Sequence, residues 1–394
     1  MRRSLLLIVV LVPVLLVAGI WLGGHPAVLP DFVRDQLVDD GDAQVYEEAV
    51  DIIQRDYYRD VDRGQLLDRS LGSAVKSLDD QFSNYFSPED YQDFQEVTQG
   101  QFSGVGMTVE EAEQGLRVMT VYDDSPAARG GLEPGDVVTE VDGRSIAGAS
   151  SEASTARIKG PAGTSVTLTV KTGKREREVE LERAQVDIPV VESAMERQGE
   201  RKVGHVQLAG FTSGAHGEVS EAVRKLLRQG ADGIVLDLRD NGGGLLNEAV
   251  LVSSIFIPEG RIVSTRGRSR PERVYEATGG AIPTSVPVAV LVNGQSASAS
   301  EIVTGALQDR KRATVVGTRT FGKGVFQEIE PLSNGGALDI TVGEYFLPSG
   351  RNIGGGGVQK GDGIAPDVRA LDDPKTKPDE ALDRAVGVVL RDGT

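Results

Sequence analysis

Val288-Ala-Val-Leu-Val-Asn-Gly-Gln-Ser-Ala-Ser-Ala-Ser-Glu-Ile302 reads as a strand, a turn and the opening of a helix. The apolar run Val288 to Val292 is hydrophobic at every position, as a strand covered on both faces must be. Asn293-Gly294 ends it, and a helix is predicted from about Ala299 to Asp309. A strand that feeds a helix through a polar loop is the repeating unit of an α/β sheet. A serine at that junction is exposed and lies beside unpaired N–H groups of the first helical turn, where developing negative charge is favoured. The same position suits a plain N-cap serine. Three residues compete for it: Ser296, Ser298 and Ser300.

Outward from this stretch the α/β pattern holds from Ile188 onward. Strands are predicted at Val203 to Leu208, Gly233 to Leu238 and Ala313 to Val316, and helices at about Glu218 to Gln229 and Leu246 to Ile255. A β region over Ala337 to Val342 and Glu344 to Leu347 precedes an amphipathic helix from Asp379 to Leu390. Between about Gly100 and Ile188 the period shortens to that of strands, at Val105 to Val109, Leu116 to Val121 and Asp136 to Val141. Val166 to Val170 and Glu176 to Leu181 form a hairpin around Thr172-Gly173. Residues 28 to 98 read mostly helical: Val45, Ala49, Ile52, Ile53 and Tyr57 recur at helical spacing, and a second helix runs near Gln65 to Leu78. Ser87-Pro88-Glu89-Asp90 starts a further short helix, with a Ser cap, Pro in the first turn and acids at the positive end of the dipole. At the N-terminus Arg2 and Arg3 precede the apolar run Leu5 to Leu22. That length is near the ~20 residues that span a bilayer, and the flanking arginines follow the positive-inside pattern. A signal anchor is expected, with a cleaved signal peptide as the alternative.

Composition narrows the chemistry. The 394 residues contain no cysteine, which excludes thiol nucleophiles, disulfides and Cys-ligated zinc. The net charge of −17 argues against nucleic acid as a partner. A Ser-His-Asp hydrolase would have to use His25, His205 or His216, none of which sits in a triad-like motif; nor do they have zinc-site spacing. Another base is needed. Thr318-Arg-Thr-Phe-Gly-Lys-Gly-Val-Phe-Gln327 frames Lys323 between Gly322 and Gly324, which allow close approach of backbone or substrate. If Gly324 to Gln327 is extended, Lys323, Val325 and Gln327 share one face, and Gln327 can hold the amine by a hydrogen bond. A lysine acts as a base only when neutral, so burial must lower its pKa. A solvated surface lysine is the bland alternative.

Phe102-Ser-Gly-Val-Gly106 followed by Ser125-Pro-Ala-Ala-Arg-Gly-Gly-Leu-Glu-Pro-Gly-Asp-Val-Val-Thr-Glu-Val-Asp-Gly143 resembles a PDZ domain. A glycine-rich loop before a strand offers N–H groups to a peptide carboxylate, and the strand edge accepts the peptide by β-augmentation. Gly104, Val105 and Gly106 are the candidates for that loop; the alternative is that the glycines merely permit a turn. Ser296-Ala-Ser-Ala-Ser-Glu301 and Phe321-Gly-Lys-Gly-Val-Phe-Gln327, with Ser77-Leu-Asp-Asp-Gln-Phe-Ser-Asn-Tyr85 and Tyr345-Phe-Leu-Pro-Ser-Gly-Arg-Asn-Ile353, are similar to the S41 family of carboxyl-terminal processing serine peptidases.

The resemblance implies a Ser-Lys dyad assisted by Gln. Its nucleophile is the middle serine, Ser298; the separation of 25 residues from Lys323 fits that assignment and not Ser296 or Ser300. Lys323 is the implied general base and Gln327 the residue that orients it. Leu236-Asp-Leu-Arg-Asp-Asn-Gly-Gly-Gly-Leu-Leu246 is similar to the family's oxyanion loop, with Gly243 and the N–H of Ala299 as candidate donors. Gly242 stands where the family usually has proline, which puts the loop's rigidity in question.

The implied architecture is α+β. It comprises an N-terminal segment (1–27), a helical cap region (28–98), an inserted PDZ-like β domain (99–186) and an α/β peptidase core of the ClpP/crotonase-like type (187–394). The implied function is serine endopeptidase action on proteins whose C-terminal tails the PDZ-like domain binds, with no metal or other cofactor. The catalytic domain is expected outside the cytoplasm, held at the membrane or released, and family members assemble or pair with partner proteins. Two rivals from other classes are a non-catalytic PDZ scaffold, disfavoured by retention of Ser298, Lys323 and Gln327, and a chymotrypsin-like protease, whose nucleophile loop is missing.

Overall fold

The computed structural model describes residues 41–372 and 378–392. The expected anchor at Leu5 to Leu22 lies outside them. Among the described residues no helix is long and apolar enough to cross a membrane. They fall into two compact units that divide after Ala74.

The first unit holds helix α1 (Gly41–Asp56) and most of α2 (Arg63–Lys76). Arg63 joins them through Asp51 (2.7 Å), Gln54 (3.0 Å) and Glu47. In the second unit, β1 (Asn84–Phe86) is followed by α3 (Pro88–Gln99). Ser87 and Asp90 form a reciprocal capping box there, as the Ser-Pro-Glu-Asp signal predicts. At twelve residues this helix is longer than expected.

The chain then enters the β domain. A ribbon of β2 (Gln101–Gly104) and β9 (Ala184–Asp187) carries both its entry and its exit. Inside lie β3 (Met107–Ala112), β4 (Gly115–Val121), α4 (Pro126–Arg129), β5 (Val137–Val141), β6 (Arg144–Ser145), α5 (Ser151–Ile158), β7 (Ser165–Thr172) and β8 (Arg175–Glu182). The sheet order is β3-β4-β5-β7-β8, and β7 and β8 form the expected hairpin. Val118, Val138, Leu168 and Val170 are fully buried in its core. Helix α5 has no counterpart in the sequence expectations: Ser151-Glu-Ala-Ser-Thr-Ala-Arg-Ile158 offers few apolar residues to a periodicity argument.

The core domain follows as β10 (Val191–Gln198), β11 (Arg201–Leu208), α6 (Ala215–Arg228), β12 (Gly233–Asp237), α7 (Leu246–Ser254), β13 (Arg261–Arg266), β14 (Arg273–Glu276), β15 (Val288–Val292), α8 (Ala299–Asp309) and β16 (Thr314–Gly317). It ends with β17 (Val325–Pro331), β18 (Ala337–Phe346), β19 (Val368–Arg369) and α9 (Glu380–Asp392). Its main sheet runs β10-β11-β12-β15-β16-β19, parallel except for the antiparallel edge strand β10. The strands alternate between two apolar faces. Ile234, Leu236, Val288 and Val290 pack toward α6, α7 and α8, while Val235, Ala289, Leu291 and Val316 pack on Ala385, Val386 and Val389 of α9. Burial on both faces explains the unbroken apolar run from Val288 to Val292. A second sheet places β18 between β17 on one side and β1 and β13 on the other.

Candidate active site

The C-terminal ends of three adjacent parallel strands, β12, β15 and β16, supply the loops of the site, which is where open α/β sheets bind their ligands. The loop after β12 is stitched to the loop after β15. Asp240 and Asn293 exchange two hydrogen bonds, at 2.8 and 3.1 Å. Asn241 is fully buried: its amide donates to the Leu208 carbonyl at 2.7 Å, and its own carbonyl accepts from Ala297 N at 3.1 Å and Ser300 Oγ at 2.8 Å. The rigidity in question at Gly242 therefore comes from the neighbouring asparagine. A Cβ on Gly242 would meet nothing within 4 Å.

The geometry separates the three serines. Ser296 Oγ donates to the Leu238 carbonyl at 2.7 Å and Ser300 Oγ to that of Asn241 at 2.8 Å, and both side chains are fully buried. They are loop fasteners. Ser298 is half-buried and its hydroxyl has no such carbonyl. It holds φ 56° and ψ −114°, a left-handed conformation that costs a serine energy and recurs at strained strand-to-helix turns bearing a nucleophile. No described residue accepts the N–H of Ala299, which is an orphan donor of the first helical turn.

Gly243 lies against Ser298. A Cβ there would approach the Ala297 carbonyl and the Ser298 Cβ to 2.8 Å each, at a φ of 109°. Its N–H, the expected oxyanion donor, turns instead to Asn241 Oδ1 at 2.9 Å, because the asparagine side chain closes a tight turn over it. Gly243→Ala is expected to lower kcat/KM by about tenfold through strain of ~1–3 kcal/mol. Gly242→Ala, which meets open space, should change it by less than about twofold. Steady-state kinetics on the two variants checks the pair.

After β16 the chain returns beside the serine loop, where Phe321 N–H donates to the Ser296 carbonyl at 3.0 Å. Lys323 is half-buried, with Nζ 5.0 Å from the centre of the Phe82 ring. Burial pushes its ammonium below the ordinary lysine value, against Asp339, Asp80 and Glu301, which favour the charged form. The glycines that frame it are explained by the protein's own backbone. A Cβ on Gly322 would meet the Gly361 carbonyl at 2.4 Å, and one on Gly324 would meet Gly354 N at 2.5 Å. The run from Gly354 to Gly357 thus begins with a backbone contact to the lysine segment. Gln327 departs from its expected place: β17 starts only at Val325 and a bulge between Phe326 and Gln327 breaks the alternation, so the Gln327 amide donates to Thr341 Oγ1 at 3.0 Å.

Glu301 has no role among the sequence expectations. It is fully buried, and its carboxylate accepts four hydrogen bonds. Oε1 takes Thr320 Oγ1 (2.6 Å) and Gly322 N–H (2.7 Å); Oε2 takes Ser298 N–H and Lys323 N–H, both at 2.9 Å. One carboxylate thus joins the backbone of the serine turn to that of the lysine segment. Burial raises its pKa against those four donors. The only signal in the sequence was its position three residues after Ser298, a capping-box spacing.

His25 lies outside the described residues, and the other two histidines pair with carboxylates elsewhere. His205 Nε2 lies 3.0 Å from Asp237 Oδ2, and His216 Nδ1 lies 2.8 Å from Glu248 Oε2. Asp237 is fully buried and, despite the cost of burial, is held below the usual carboxylate range by His205 and Arg239. Arg239 extends this network to Asp372 (3.0 Å) and Asp379 (2.7 Å), which ties the loop after β12 to the start of α9.

In the β domain, Gly104 pairs with Ala184, the Val105 carbonyl accepts from Ala127 N (2.7 Å) and the Gly106 carbonyl from Tyr122 N (3.0 Å). No described residue accepts the N–H of Val105 or Gly106. The next strand, β3, is the edge of the sheet and packs beside α5, so its outer side is a strand edge of the kind that accepts a peptide.

The model of peptidase family S41 matches residues 202–370, and that of the PDZ domain matches residues 103–182. A carboxy-terminal-processing protease of Bartonella bacilliformis is 34% identical over 363 residues, covering 89% of this chain and 81% of its own. A CtpA-like serine protease of Staphylococcus aureus is 36% identical over 331 residues, covering 84% of this chain and 64% of its own. Among solved structures, the photosystem II D1 C-terminal processing protease is 28% identical, with a TM-score of 0.49 over 91% of this chain and 98% of that one.

Proposed function

The chain belongs to peptidase family S41, the carboxy-terminal-processing serine proteases, and carries a PDZ domain; from that premise we propose that Ser298 is its nucleophile and Lys323 its general base. The observation that carries this reading is the Glu301 carboxylate, which holds Ser298 N–H and Lys323 N–H at 2.9 Å each. Neutral Lys323 takes the Ser298 Oγ proton as the oxygen attacks a peptide carbonyl. Ala299 N–H stabilises the oxyanion, and the leaving amine receives the proton from the Lys323 ammonium. The same amine then deprotonates the water that hydrolyses the acyl-enzyme. The family reading makes Gln327 the orienter of the lysine, although its amide donates to Thr341 Oγ1 here.

The substrates are proteins with free C-terminal tails, taken along β3 with the terminal carboxylate at Gly104, Val105 and Gly106. The Arg2-Arg3 and Leu5 to Leu22 pattern supports export, with the catalytic unit held at the membrane or released outside the cytoplasm. Self-assembly or a regulatory partner protein is part of the same family-based reading.

A peptide substrate tested with a free and an amidated C-terminus addresses tail capture. Amidation removes charge-assisted hydrogen bonds of ~1.5–3 kcal/mol, so KM should rise by about tenfold or more with kcat nearly unchanged. Equal KM values would refute tail capture. Pull-down with Ser298→Ala protein should retain the free-tailed peptide and lose the amidated one.

A further inference from the structure

The stretch Tyr345-Phe-Leu-Pro-Ser-Gly-Arg-Asn-Ile353 runs from the end of β18 back beside the lysine segment. It makes a tight turn, with Gly350 N–H donating to the Leu347 carbonyl at 2.8 Å and Leu347 N–H to the Arg351 carbonyl at 3.0 Å. The turn is fastened to the end of α8. Asp309 accepts from Ser349 N–H at 3.0 Å and pairs with Arg351 at 3.1 Å, and Arg351 also donates to Gln308 Oε1 at 2.8 Å. Asn352 follows, half-buried. Its Nδ2 donates to the Gly324 carbonyl at 2.8 Å and to the Tyr345 carbonyl at 3.0 Å, while its Oδ1 accepts Gly354 N–H at 2.7 Å. Two carbonyls on one side and an N–H on the other leave one sensible orientation for this amide.

Gly324 follows Lys323 and stands just before β17. Its carbonyl also accepts Tyr345 N–H at 3.1 Å. The lysine segment is thus held at two ends. On the N-terminal side Glu301 takes the N–H groups of Gly322 and Lys323, at 2.7 and 2.9 Å. On the C-terminal side Asn352 takes the Gly324 carbonyl. A glycine on either side leaves the backbone free to turn, and Gly322 sits at φ 94°. Local sterics therefore do not set the direction of the lysine, and partners must. The fit on the C-terminal side is close: a Cβ on Gly324 would come within 2.4 Å of Asn352 Oδ1. Misplacing a reacting group by ~1 Å can cost ~10²-fold in rate.

We propose that Asn352 is a positioning residue for Lys323: by holding the Gly324 carbonyl from the turn after β18, it fixes, together with Glu301, the direction in which the lysine side chain leaves the backbone. The proposal rests on the Ser298–Lys323 reading. Helix α8 then carries both holds, with Glu301 in its first turn and, through Asp309 at its last residue, the turn that presents Asn352.

The test is a double-variant cycle with Lys323→Arg, read by kinetics on a peptide substrate and by thermal melting. Asn352→Ala is expected to lower kcat by about 30-fold with KM within about twofold of wild type. In the Lys323→Arg background it should change the residual rate by less than about twofold, because a residue that acts through the lysine amine then has nothing left to position. The same fold loss in both backgrounds is what a general loosening of the fold would give, and it overturns the proposal, as does a wild-type kcat. Asn352→Asp isolates one bond. Its carboxylate still accepts Gly354 N–H but sets an oxygen against the Gly324 and Tyr345 carbonyls, so it should lose at least as much as Asn352→Ala. A wild-type kcat in that variant overturns the role given to the Gly324 carbonyl. Should Asn352→Ala fail to fold, Asn352→Ser, which keeps a hydroxyl donor, enters the same cycle with an expected loss of about fivefold and the same overturning outcomes. Full activity of Lys323→Arg would refute the dyad itself and the proposal with it, whereas an inactive Lys323→Arg with equal losses from Asn352→Ala overturns the positioning role alone.

Discussion

Lys323→Arg is expected to lower kcat/KM by about 10⁴-fold, the loss that follows when a general base is removed from a cooperating set. Arginine keeps a long cationic side chain but cannot shed its proton in a protein. The wild-type amine is driven toward its neutral form by burial, so activity should rise as the pH climbs through its lowered pKa and fall below it, where the amine is ammonium. The arginine variant should show no such limb at any pH. Ser298→Ala should reach the same floor. The double variant should fall no lower than either single one, because the two side chains act as a unit. Kinetics with a peptide substrate and a thermal melt together check this: unchanged melting with lost activity is the expected pattern, and independent, multiplicative losses would argue against the dyad.

Glu301→Gln is expected to lower kcat/KM by about 100-fold and to reduce the melting temperature as well. The substitution keeps shape and removes charge, but an NH₂ group must now face one pair of donors: Thr320 Oγ1 with Gly322 N–H, or Ser298 N–H with Lys323 N–H. Each buried donor left without an acceptor costs ~1–3 kcal/mol. If the amide faces the second pair, the serine turn and the lysine segment lose their common anchor. Because that anchor positions the backbone of both residues of the proposed dyad, the loss should fall on kcat more than on KM. Glu301→Asp, too short to span both pairs, should restore little. A variant that melts earlier yet retains wild-type kcat would confine Glu301 to structure.

The elements that were legible from sequence were those written in contiguous residues. Strands β12, β15 and β16 and helix α8 fell within a residue or so of their expected bounds, since an apolar run of fixed length between polar turns is itself the signal. Edge strand β10, Val191-Glu-Ser-Ala-Met-Glu-Arg-Gln198, carries no such pattern; it is a strand because β11 offers it a register from Val191↔Leu208 to Gln198↔Arg201. Helix α5 lacked a periodic apolar face for the same kind of reason. The helical spacing of Val45, Ile52 and Ile53 did mark α1, although all three remain exposed.

For the site, sequence alone established which residue types were on hand: no thiol, no triad-like histidine, one lysine framed by glycines and a serine-rich turn at the end of a strand. It could not say what those side chains touch. Thr341 takes the Gln327 amide across a pair of strands and the Gly354 backbone crowds Gly324, contacts made only when separate segments meet, while Asn241 takes the Gly243 N–H within a single turn. Glu301 shows the division most plainly. Its spacing from Ser298 is local and reads as a helix cap, a short-range hydrogen bond that any sequence window contains. Its partners Thr320, Gly322 and Lys323 lie on the segment between β16 and β17, beyond the end of α8, so only tertiary structure could bring both halves of the proposed dyad onto one buried carboxylate.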